Sequence, residues 1–303
     1  GVTIDGIKVV SPSEGNDYTI VGGEFDFEIT PAPNNPGNDP IVQQRVKNKA
    51  DGTITFADGV IYTQAGDYVY TVRELSGTAG CFGYDDTVYT VTVKVVDEPA
   101  NAKLKATVVI TKENSPVNDI TFDNSYTPGV ATTVLYGKKV LDSEHIDLTA
   151  DKFQFKLEAI GTDAAKTPMP ESGKELARND ATGKFQLGTI TYKAVGEYTY
   201  QISEVNSGDK GYTYDDTKYT ITVKVTDNGG VLNAEVTGLE KQDGTEAVVF
   251  TNGYTPESVT LEGDTALVGK KKLNGRELKA DEFKFQLIDK DNKVVAEAQN
   301  DAN

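Results

Sequence analysis

The sequence repeats itself with a period of about 130 residues, and this repeat limits the folds open to the chain more than any other feature. The segment GIKVV at 6–10 recurs as GKKVL at 137–141 and again as GKKKL at 269–273. Later in each complete copy, YDDTVYTVTVKV at 84–95 matches YDDTKYTITVKV at 214–225. Because this period is far longer than the roughly 20 to 50 residues of a solenoid unit, each copy is predicted to be a whole domain.

The motif Phe-x-Asn-x-Tyr-Thr-Pro closes both complete copies, as FDNSYTP and as FTNGYTP. Proline stops a strand ladder, so a short extended connector is expected at each motif. The predicted domains are residues 1–127 and residues 128–255, which we call the first and second repeats. Residues 256–303 match only the opening strands, and we interpret them as the truncated start of a third repeat.

Composition and charge narrow the class of protein. Gly is frequent, Trp is absent, and Thr, Val and Tyr recur in alternating runs, which is typical of strands and predicts an all-β fold. The formal net charge is −17 with no basic cluster, so nucleic acid and anionic membrane surfaces are not expected as partners. No stretch approaches the roughly 18 apolar residues of a membrane span. With no charged-then-apolar leader before Gly1, we expect the sequence to be a mature or excised fragment.

The chain has one cysteine and one histidine, which excludes an intrachain disulfide and most histidine-based catalysis and metal ligation. Cys81 is expected to be a solvated or half-buried loop thiol, and His145 a surface loop residue. Neither is assigned a function, and no metal or cofactor is predicted.

Three polar side chains of the first repeat fall on predicted core faces. Because successive side chains of a strand point to opposite sides, Glu74 shares a face with Tyr70. The same alternation puts Lys8 on the apolar side of the opening strand. In the closing strand it puts Asn124 on the face of Phe122. We therefore expect a lysine, a glutamate and an asparagine to meet in one interior.

The second repeat carries the same set as Lys139, Glu204 and Asn252, at similar separations along the chain. Unpaired buried charges are costly, and such groups shift their pKa and neutralise. A neutral lysine amine is a nucleophile, and a protonated glutamic acid can donate to a carbonyl oxygen and to a leaving group. The alternatives are an ordinary buried Lys–Glu pair beside a hydrogen-bonded Asn, or an alternation that misplaces one strand by a residue. Two matching copies make both of them weaker.

Taken together, these motifs resemble the streptococcal pilin isopeptide linkage domains, which build the shafts of Gram-positive pili and the stalks of related surface adhesins. The resemblance rests on KVV or KVL before FDFEI or FQFKL, on YVYTVRE or YTYQISE, on the YDDT strands and on the closing motifs. It implies tandem Ig-like β-sandwiches, related to the B-type repeats of collagen-binding surface proteins. Each would be stapled by a self-formed Lys–Asn isopeptide bond that a Glu promotes without a cofactor.

The resemblance also implies which residues react. The bonds would join Lys8 to Asn124 with Glu74, and Lys139 to Asn252 with Glu204. Lys271 matches the reactive lysine in the third repeat, but the Glu and Asn that would complete its set lie beyond Asn303. We therefore expect Lys271 to remain unreacted.

The predicted function is structural, a load-bearing section of a Gram-positive pilin or adhesin stalk at the cell surface, with neighbouring repeats or pilin subunits as partners. Location and anchoring are inferred from the resemblance, since no sorting signal is found. The alternative is an adhesin domain that contacts host matrix or glycans. A turnover enzyme is disfavoured because the chain lacks a Gly-rich phosphate loop and a Ser–His–Asp set, which leaves only single-turnover bond formation.

Two further motifs allow two interpretations each. The paired carboxylates of YDDT at 84–87 and 214–217 suggest calcium, but an Asx-type turn that opens a hairpin is favoured. The loop PAPNNPGNDP at 31–40, found only in the first repeat, is either a ligand contact or, as we favour, an elongated surface connection.

Overall fold

The structure is a computed structural model that describes residues 1–240, 248–263 and 266–302. These residues contain strands and short 3-10 turns but no α-helix. They separate into two compact units, residues 1–255 and residues 256–303. None of the described helical turns is long and apolar enough to cross a membrane.

Residues 1–127, all of which the structure describes, form ten strands arranged as two facing sheets. The strands are β1 (Val2–Pro12), β2 (Asp26–Pro31), β3 (Gln44–Lys47), β4 (Thr53–Val60), β5 (Gly66–Leu75), β6 (Phe82–Gly83), β7 (Val88–Glu98), β8 (Lys103–Lys112), β9 (Ser115–Val117) and β10 (Thr121–Tyr126). One sheet has the order β4-β1-β10-β6, and the other has the order β3-β2-β5-β7-β8-β9. A 3-10 turn at Pro99–Asn101 joins β7 to β8.

The second repeat has the same architecture in its described residues. Its strands are β11 (Ala131–Thr133), β12 (Tyr136–Asp142), β13 (Gln154–Ala159), β14 (Leu176–Arg178), β15 (Lys184–Gln186), β16 (Ile190–Tyr192), β17 (Gly196–Val205), β18 (Tyr212–Thr213), β19 (Lys218–Asp227), β20 (Leu232–Glu240) and β21 (Val249–Tyr254), with a 3-10 turn at Ala164–Lys166. The sheets run β15-β12-β21-β18 and β14-β13-β17-β19-β20, and β11 pairs with β16. The prediction of tandem all-β sandwiches is confirmed.

Each repeat buries its own hydrophobic core between its two sheets. Burial follows the predicted alternation, as in β10, where Phe122, Asn124 and Tyr126 are buried and their neighbours are exposed. Aromatic rings dominate both cores, and burying each large apolar side chain contributes about 1.5–3 kcal/mol. The lysine, glutamate and asparagine predicted to meet in each interior therefore share their faces with the core.

In both repeats the first and last long strands are parallel neighbours. β1 pairs with β10 so that Val10 lies opposite Asn124, and β12 pairs with β21 so that Leu141 lies opposite Asn252. These pairings join the two ends of each repeat within one sheet. They are the topological feature on which the site depends.

Side-chain hydrogen bonds cross the junction between the two repeats. The side chain of Asn16 is buried; its Nδ2 donates to the carbonyl oxygen of Lys193 at 2.9 Å, and its Oδ1 accepts from the N–H of Val195 at 3.2 Å. The hydroxyl of Tyr126 donates to the carboxylate of Asp227. The junction is thus held by side chains as well as by the connecting peptide.

A glycine allows the backbones to approach at this junction. Gly230 has a φ of +92°, and a Cβ placed on it would lie 2.6 Å from Sγ of Cys81. The carbonyl oxygen of Gly230 accepts from the N–H of Gly129 at 2.9 Å. Cys81 is half-buried in a turn, as expected, and His145 is exposed outside any strand.

The loop at 31–40 is tied to the neighbouring strand β5. Asn35 exchanges hydrogen bonds with Val69, donating to its carbonyl oxygen at 2.9 Å and accepting from its N–H at 2.8 Å. Asp39 accepts from the hydroxyl of Tyr70 at 2.7 Å. These bonds support the interpretation of the loop as a surface connection.

In residues 256–303 the described strands are β22 (Lys284–Ile288) and β23 (Val294–Gln299), which pair as an antiparallel hairpin. The assignment of this unit as the start of a third repeat stays a prediction, as do the boundaries at 127 and 255.

Candidate functional site

Three strands bring the polar trio of the first repeat together. Lys8 lies in β1 two residues before Val10, the partner of Asn124 in β10. Alternate residues of adjacent strands share a face, so the lysine and asparagine side chains enter the core from the same sheet. Glu74 enters from β5 in the facing sheet.

The contacts of Glu74 place a nucleophile beside an amide. Lys8 Nζ lies 2.9 Å from Glu74 Oε2, and Asn124 Nδ2 donates to Glu74 Oε1 at 2.7 Å. The side chains of Lys8 and Glu74 have no exposed surface, and Asn124 is likewise fully buried. One carboxyl group therefore bridges the amine and the amide nitrogen, out of contact with water.

The second repeat reproduces this geometry. Lys139 Nζ lies 2.8 Å from Glu204 Oε1 and 2.9 Å from Oε2. Asn252 Nδ2 donates to Glu204 Oε1 at 3.0 Å. The structure thus brings together both predicted sets of residues, while the reaction assigned to them stays a prediction.

Burial changes the acid–base balance of both pairs. Loss of hydration lowers the pKa of Lys8 and of Lys139 below the ordinary lysine value, although the partner glutamate opposes this shift. The same loss of hydration raises the pKa of Glu74 and of Glu204 above the ordinary glutamate value, although the partner lysine opposes it. Both shifts favour moving the lysine proton to the glutamate, which would leave a neutral amine.

An aromatic ring forms a wall beside each lysine, a feature that sequence analysis missed. The distances from Nζ to the ring centroid are 4.9 Å for Lys8 and Phe25, 4.7 Å for Lys139 and Phe153, and 4.5 Å for Lys271 and Phe283. An ammonium at this distance is attracted to the ring face, and the apolar ring also excludes water. The signal was available as the first phenylalanine of FDFEI, FQFKL and FKFQL.

The carbonyl oxygen of each asparagine points away from the glutamate. Asn124 Oδ1 accepts from the backbone N–H of Asp85 at 2.8 Å, and Asn252 Oδ1 accepts from the N–H of Asp215 at 2.8 Å. From the sequence, a protonated glutamic acid can donate both to the carbonyl oxygen and to the leaving group. In the structure the glutamate contacts the amide nitrogen, and a backbone N–H holds the oxygen.

These aspartates are the second residues of the two YDDT motifs, and they form the predicted Asx turn. Asp85 Oδ1 accepts from the N–H of Thr87 at 2.9 Å, and Asp215 Oδ1 accepts from the N–H of Thr217 at 3.0 Å. The turn interpretation of the motif is therefore confirmed. Its contact with the asparagine was not predicted, because the sequence indicated only a calcium site or a turn at this motif.

A glycine lies against the backbone of each lysine. The N–H of Lys8 donates to the carbonyl oxygen of Gly52 at 2.8 Å, and the N–H of Lys139 donates to that of Gly183 at 2.7 Å. Both glycines have a positive φ, +86° and +87°, and an added Cβ would lie 2.6 Å and 2.1 Å from the lysine carbonyl oxygen. Only glycine fits without displacing the strand that carries the lysine.

Solved structures that match the chain include two major pilins and a repeat unit of a surface protein. The major pilin from Streptococcus pyogenes is 22% identical, with the match covering 84% of this chain and 99% of the pilin at a TM-score of 0.37. The T-13 major pilin of the same species is 18% identical over 84% and 98%, with a TM-score of 0.33. A B repeat unit of the collagen binding surface protein of Staphylococcus aureus is 14% identical over 84% and 99%, with a TM-score of 0.19.

No curated protein matches the chain. The model of a protein family, described as the Spy0128-like isopeptide containing domain, matches residues 4–127 and again residues 135–255. The two matches take in most of the chain and confirm the resemblance that the motifs indicated. The chain belongs to the family of Spy0128-like isopeptide containing domains.

Proposed function

We propose that this chain is a load-bearing section of a Gram-positive surface pilin or adhesin stalk, in which each complete repeat is closed by a Lys–Asn isopeptide bond. The observation that carries the proposal is the buried Lys–Glu–Asn trio, which occurs twice with nearly the same distances. A single trio is compatible with a structural ion pair. Two matching trios in a family named for isopeptide bonds favour a reaction.

The geometry supports a condensation that expels ammonia. The lysine gives a proton to the glutamate and becomes a neutral amine, whose Nζ attacks the asparagine Cγ. The glutamate then passes a proton to Nδ2, which leaves as ammonia while Nζ loses its second proton to the carboxylate. The products are one amide bond, one ammonia and a protonated glutamate, which holds the second proton from Nζ.

The topology gives this bond a mechanical purpose. Tension that enters at the start of β1 and leaves at the end of β10 pulls two parallel neighbours in opposite directions along their length. A bond from Lys8 to Asn124 carries that load directly, so the ladder of hydrogen bonds and the chain between them are not stretched. The same holds for β12 and β21.

Crosslinking also stabilises the fold at rest. The bonds would close loops of 116 and 113 residues, from 8 to 124 and from 139 to 252. By the chain-entropy relation for disulfides, used as an analogy, each disfavours the unfolded state by about 4–5 kcal/mol. A crosslink that needs no disulfide suits the outside of a cell wall. The proposed partners there are neighbouring repeats and other pilin subunits.

Intact-mass spectrometry tests the proposal. We expect the purified chain to be lighter than its sequence mass by two ammonias. The Asn124→Ala and Asn252→Ala variants should each be lighter than their own sequence mass by one ammonia. A mass equal to that of the unmodified sequence would refute the bonds. Loss of three ammonias would refute the assignment of Lys271 as unreacted.

Single-molecule pulling from the termini tests the load-bearing role. The two complete repeats are expected to extend no further than their folded length, whereas each asparagine variant releases the hidden length of one repeat. Unfolding of the unmutated repeats at forces typical of uncrosslinked sandwiches would contradict the load-bearing role. Specific capture of a host matrix protein by the intact chain would favour the adhesin alternative.

A further inference from the structure

We propose that the backbone N–H groups of Asp85 and Asp215 are the oxyanion donors of the isopeptide reaction, stabilising the negative charge that develops on Oδ1 of Asn124 and Asn252. This inference rests on the proposed function and adds a third catalytic group to the lysine and the glutamate. It assigns a chemical role to the first aspartate of each YDDT motif.

The contact determines which way the asparagine amide faces. A backbone N–H can only donate, so the group 2.8 Å from it in each repeat must be the acceptor Oδ1 rather than Nδ2. The opposite orientation would set two donors against each other in a buried site. The leaving nitrogen is thereby turned toward the glutamate before any reaction begins.

Neither oxygen of the glutamate contacts the carbonyl oxygen of the asparagine. In the first repeat Glu74 Oε2 receives Lys8 Nζ, and Oε1 receives Asn124 Nδ2. Its two oxygens thus contact Lys8 Nζ and Asn124 Nδ2, the two nitrogens between which protons are exchanged. The charge on the carbonyl oxygen needs a separate donor, and the N–H of Asp85 occupies that place.

The carboxylate of each aspartate holds its own N–H in position. Asp85 Oδ2 accepts from the N–H of Asp123 at 2.8 Å, in addition to the turn contact of Oδ1 with Thr87. Because Asp123 precedes Asn124, this bond ties the turn to the strand that carries the electrophile. Donors fixed in advance cost no reorganisation during the reaction, so the side chain of Asp85 acts as a positioning group.

The second repeat makes the equivalent contacts. Asp215 Oδ2 accepts from the N–H of Thr251 at 2.7 Å, and Thr251 precedes Asn252. The residue before the asparagine differs between the repeats, Asp123 in one and Thr251 in the other, but its backbone N–H makes the same bond. The tether therefore depends on this backbone N–H and not on the side chain of that residue.

The donor acts at one defined step. When Nζ attacks Cγ, the electron pair of the carbonyl double bond moves onto Oδ1, where the N–H stabilises it. The pair returns as the bond from Cγ to Nδ2 breaks and ammonia leaves with the proton supplied by the glutamate. Atoms and charge balance without any further reactant.

The test follows ammonia loss in the freshly synthesised full chain by time-resolved intact mass, with peptide mapping to assign each bond. Asp85→Pro removes the N–H, Asp85→Ala keeps it but loses the tether, and Asp85→Asn keeps both the N–H and an acceptor. Removing one oxyanion donor slows a reaction about a hundredfold or more. We expect the first bond to form about a hundredfold or more slowly in Asp85→Pro. It should form moderately more slowly in Asp85→Ala and near the wild-type rate in Asp85→Asn.

The second repeat of the same molecule is the internal control, and its bond should form at the wild-type rate in every variant. If the wild-type chain loses no ammonia, the proposed function itself fails. If it loses two ammonias and Asp85→Pro closes the first bond at the wild-type rate, only the oxyanion role is overturned.

A second measurement keeps the inference testable if the Pro variant does not fold. In a Lys8→Met chain the first bond cannot form, so Asn124 stays in its unreacted state. Nuclear magnetic resonance should then detect scalar coupling across the hydrogen bond, between the Asp85 amide nitrogen and the side-chain carbonyl carbon of Asn124. Absence of this coupling in a folded first repeat would overturn the inference.

Discussion

Tyr126 ends the last strand of the first repeat, and its hydroxyl donates a hydrogen bond to the carboxylate of Asp227 in the second repeat. Burial, followed by this bond, raises the pKa of Tyr126 above the ordinary tyrosine value. Asn16 adds two further bonds across the same junction. The joint between the two repeats therefore has a defined geometry.

Loosening this joint should expose the single thiol of the chain. Cys81 is half-buried against Gly230, so a thiol reagent reaches it faster when the repeats separate. A hydrogen bond to a charged group contributes about 1.5–3 kcal/mol, and about 1.4 kcal/mol corresponds to a factor of ten. We expect Tyr126→Phe to raise the labelling rate of Cys81 about tenfold or more.

Tyr254→Phe is the matched control, because Tyr254 holds the equivalent place at the end of the second repeat and does not contact this joint. Its labelling rate should equal that of the wild-type chain. Equal rates for all three proteins would show that the bond to Asp227 does not hold the joint closed.

The two glutamates should act independently, each in its own repeat. Glu204→Gln keeps the volume and one acceptor oxygen but cannot carry the lysine proton. We expect this variant to lose one ammonia instead of two, with the first bond intact. Its second repeat should also lose the roughly 4–5 kcal/mol that loop closure contributes, visible as a lower thermal midpoint.

Glu74→Gln should give the mirror result, with only the second bond formed. Digestion and peptide mapping identify which crosslink remains in each variant. Full loss of two ammonias in either protein would remove glutamate from the mechanism.

Acid should destabilise the uncrosslinked first repeat partly through Asp85. Partial burial raises the pKa of this carboxyl, but hydrogen bonds from Thr87 and from the N–H of Asp123 outweigh burial and hold the pKa below the ordinary 3.8. In the window between the two values the unfolded chain binds more protons, so stability rises with pH. The contribution is present above 3.8 and is lost as the pH falls through the folded pKa.

Lys8→Met provides a first repeat that can unfold fully, so chemical denaturation can measure its stability from about pH 6 to about pH 2. The double variant with Asp85→Asn has no charge to titrate at this position. We expect its stability to fall less steeply with acid than that of Lys8→Met alone. Parallel curves would contradict a role for the Asp85 carboxylate in stability.

Gly183 should be required for rapid formation of the second bond. Gly183→Ala places a Cβ 2.1 Å from the carbonyl oxygen of Lys139, so the strand that carries Lys139 must move. The positive φ adds strain of about 1–2 kcal/mol. We expect slower ammonia loss from the second repeat, a lower thermal midpoint and an unchanged first bond.

Gly173→Ala separates these two causes. Gly173 has a nearly identical φ of +86°, but an added Cβ would meet nothing within 4 Å. This variant should show the strain without the delay in bond formation. An equal delay in both variants would mean that strain, and not displacement of Lys139, controls the rate.

The sequence was sufficient to predict which side chains face the core. Alternation with a period of two depends only on local strand geometry, so Lys8, Glu74 and Asn124 could be assigned to one interior without knowing how the strands pair. The duplicated motifs also predicted the domain organisation, because two copies of the same strand and turn sequences should form the same local structure. The Asx turn of YDDT was likewise predictable, since Asp85 and Thr87 are two residues apart.

Only the tertiary structure showed how these faces meet. Nothing local specifies that β1 pairs in parallel with β10, or that Val10 lies opposite Asn124; this register arises when two sheets close over a shared core. The N–H of Asp85 reaches Asn124 for the same reason, because a turn and a strand 39 residues apart are joined only by packing. Long-range packing therefore decided which donor meets the carbonyl oxygen, while local alternation decided which residues were available to react.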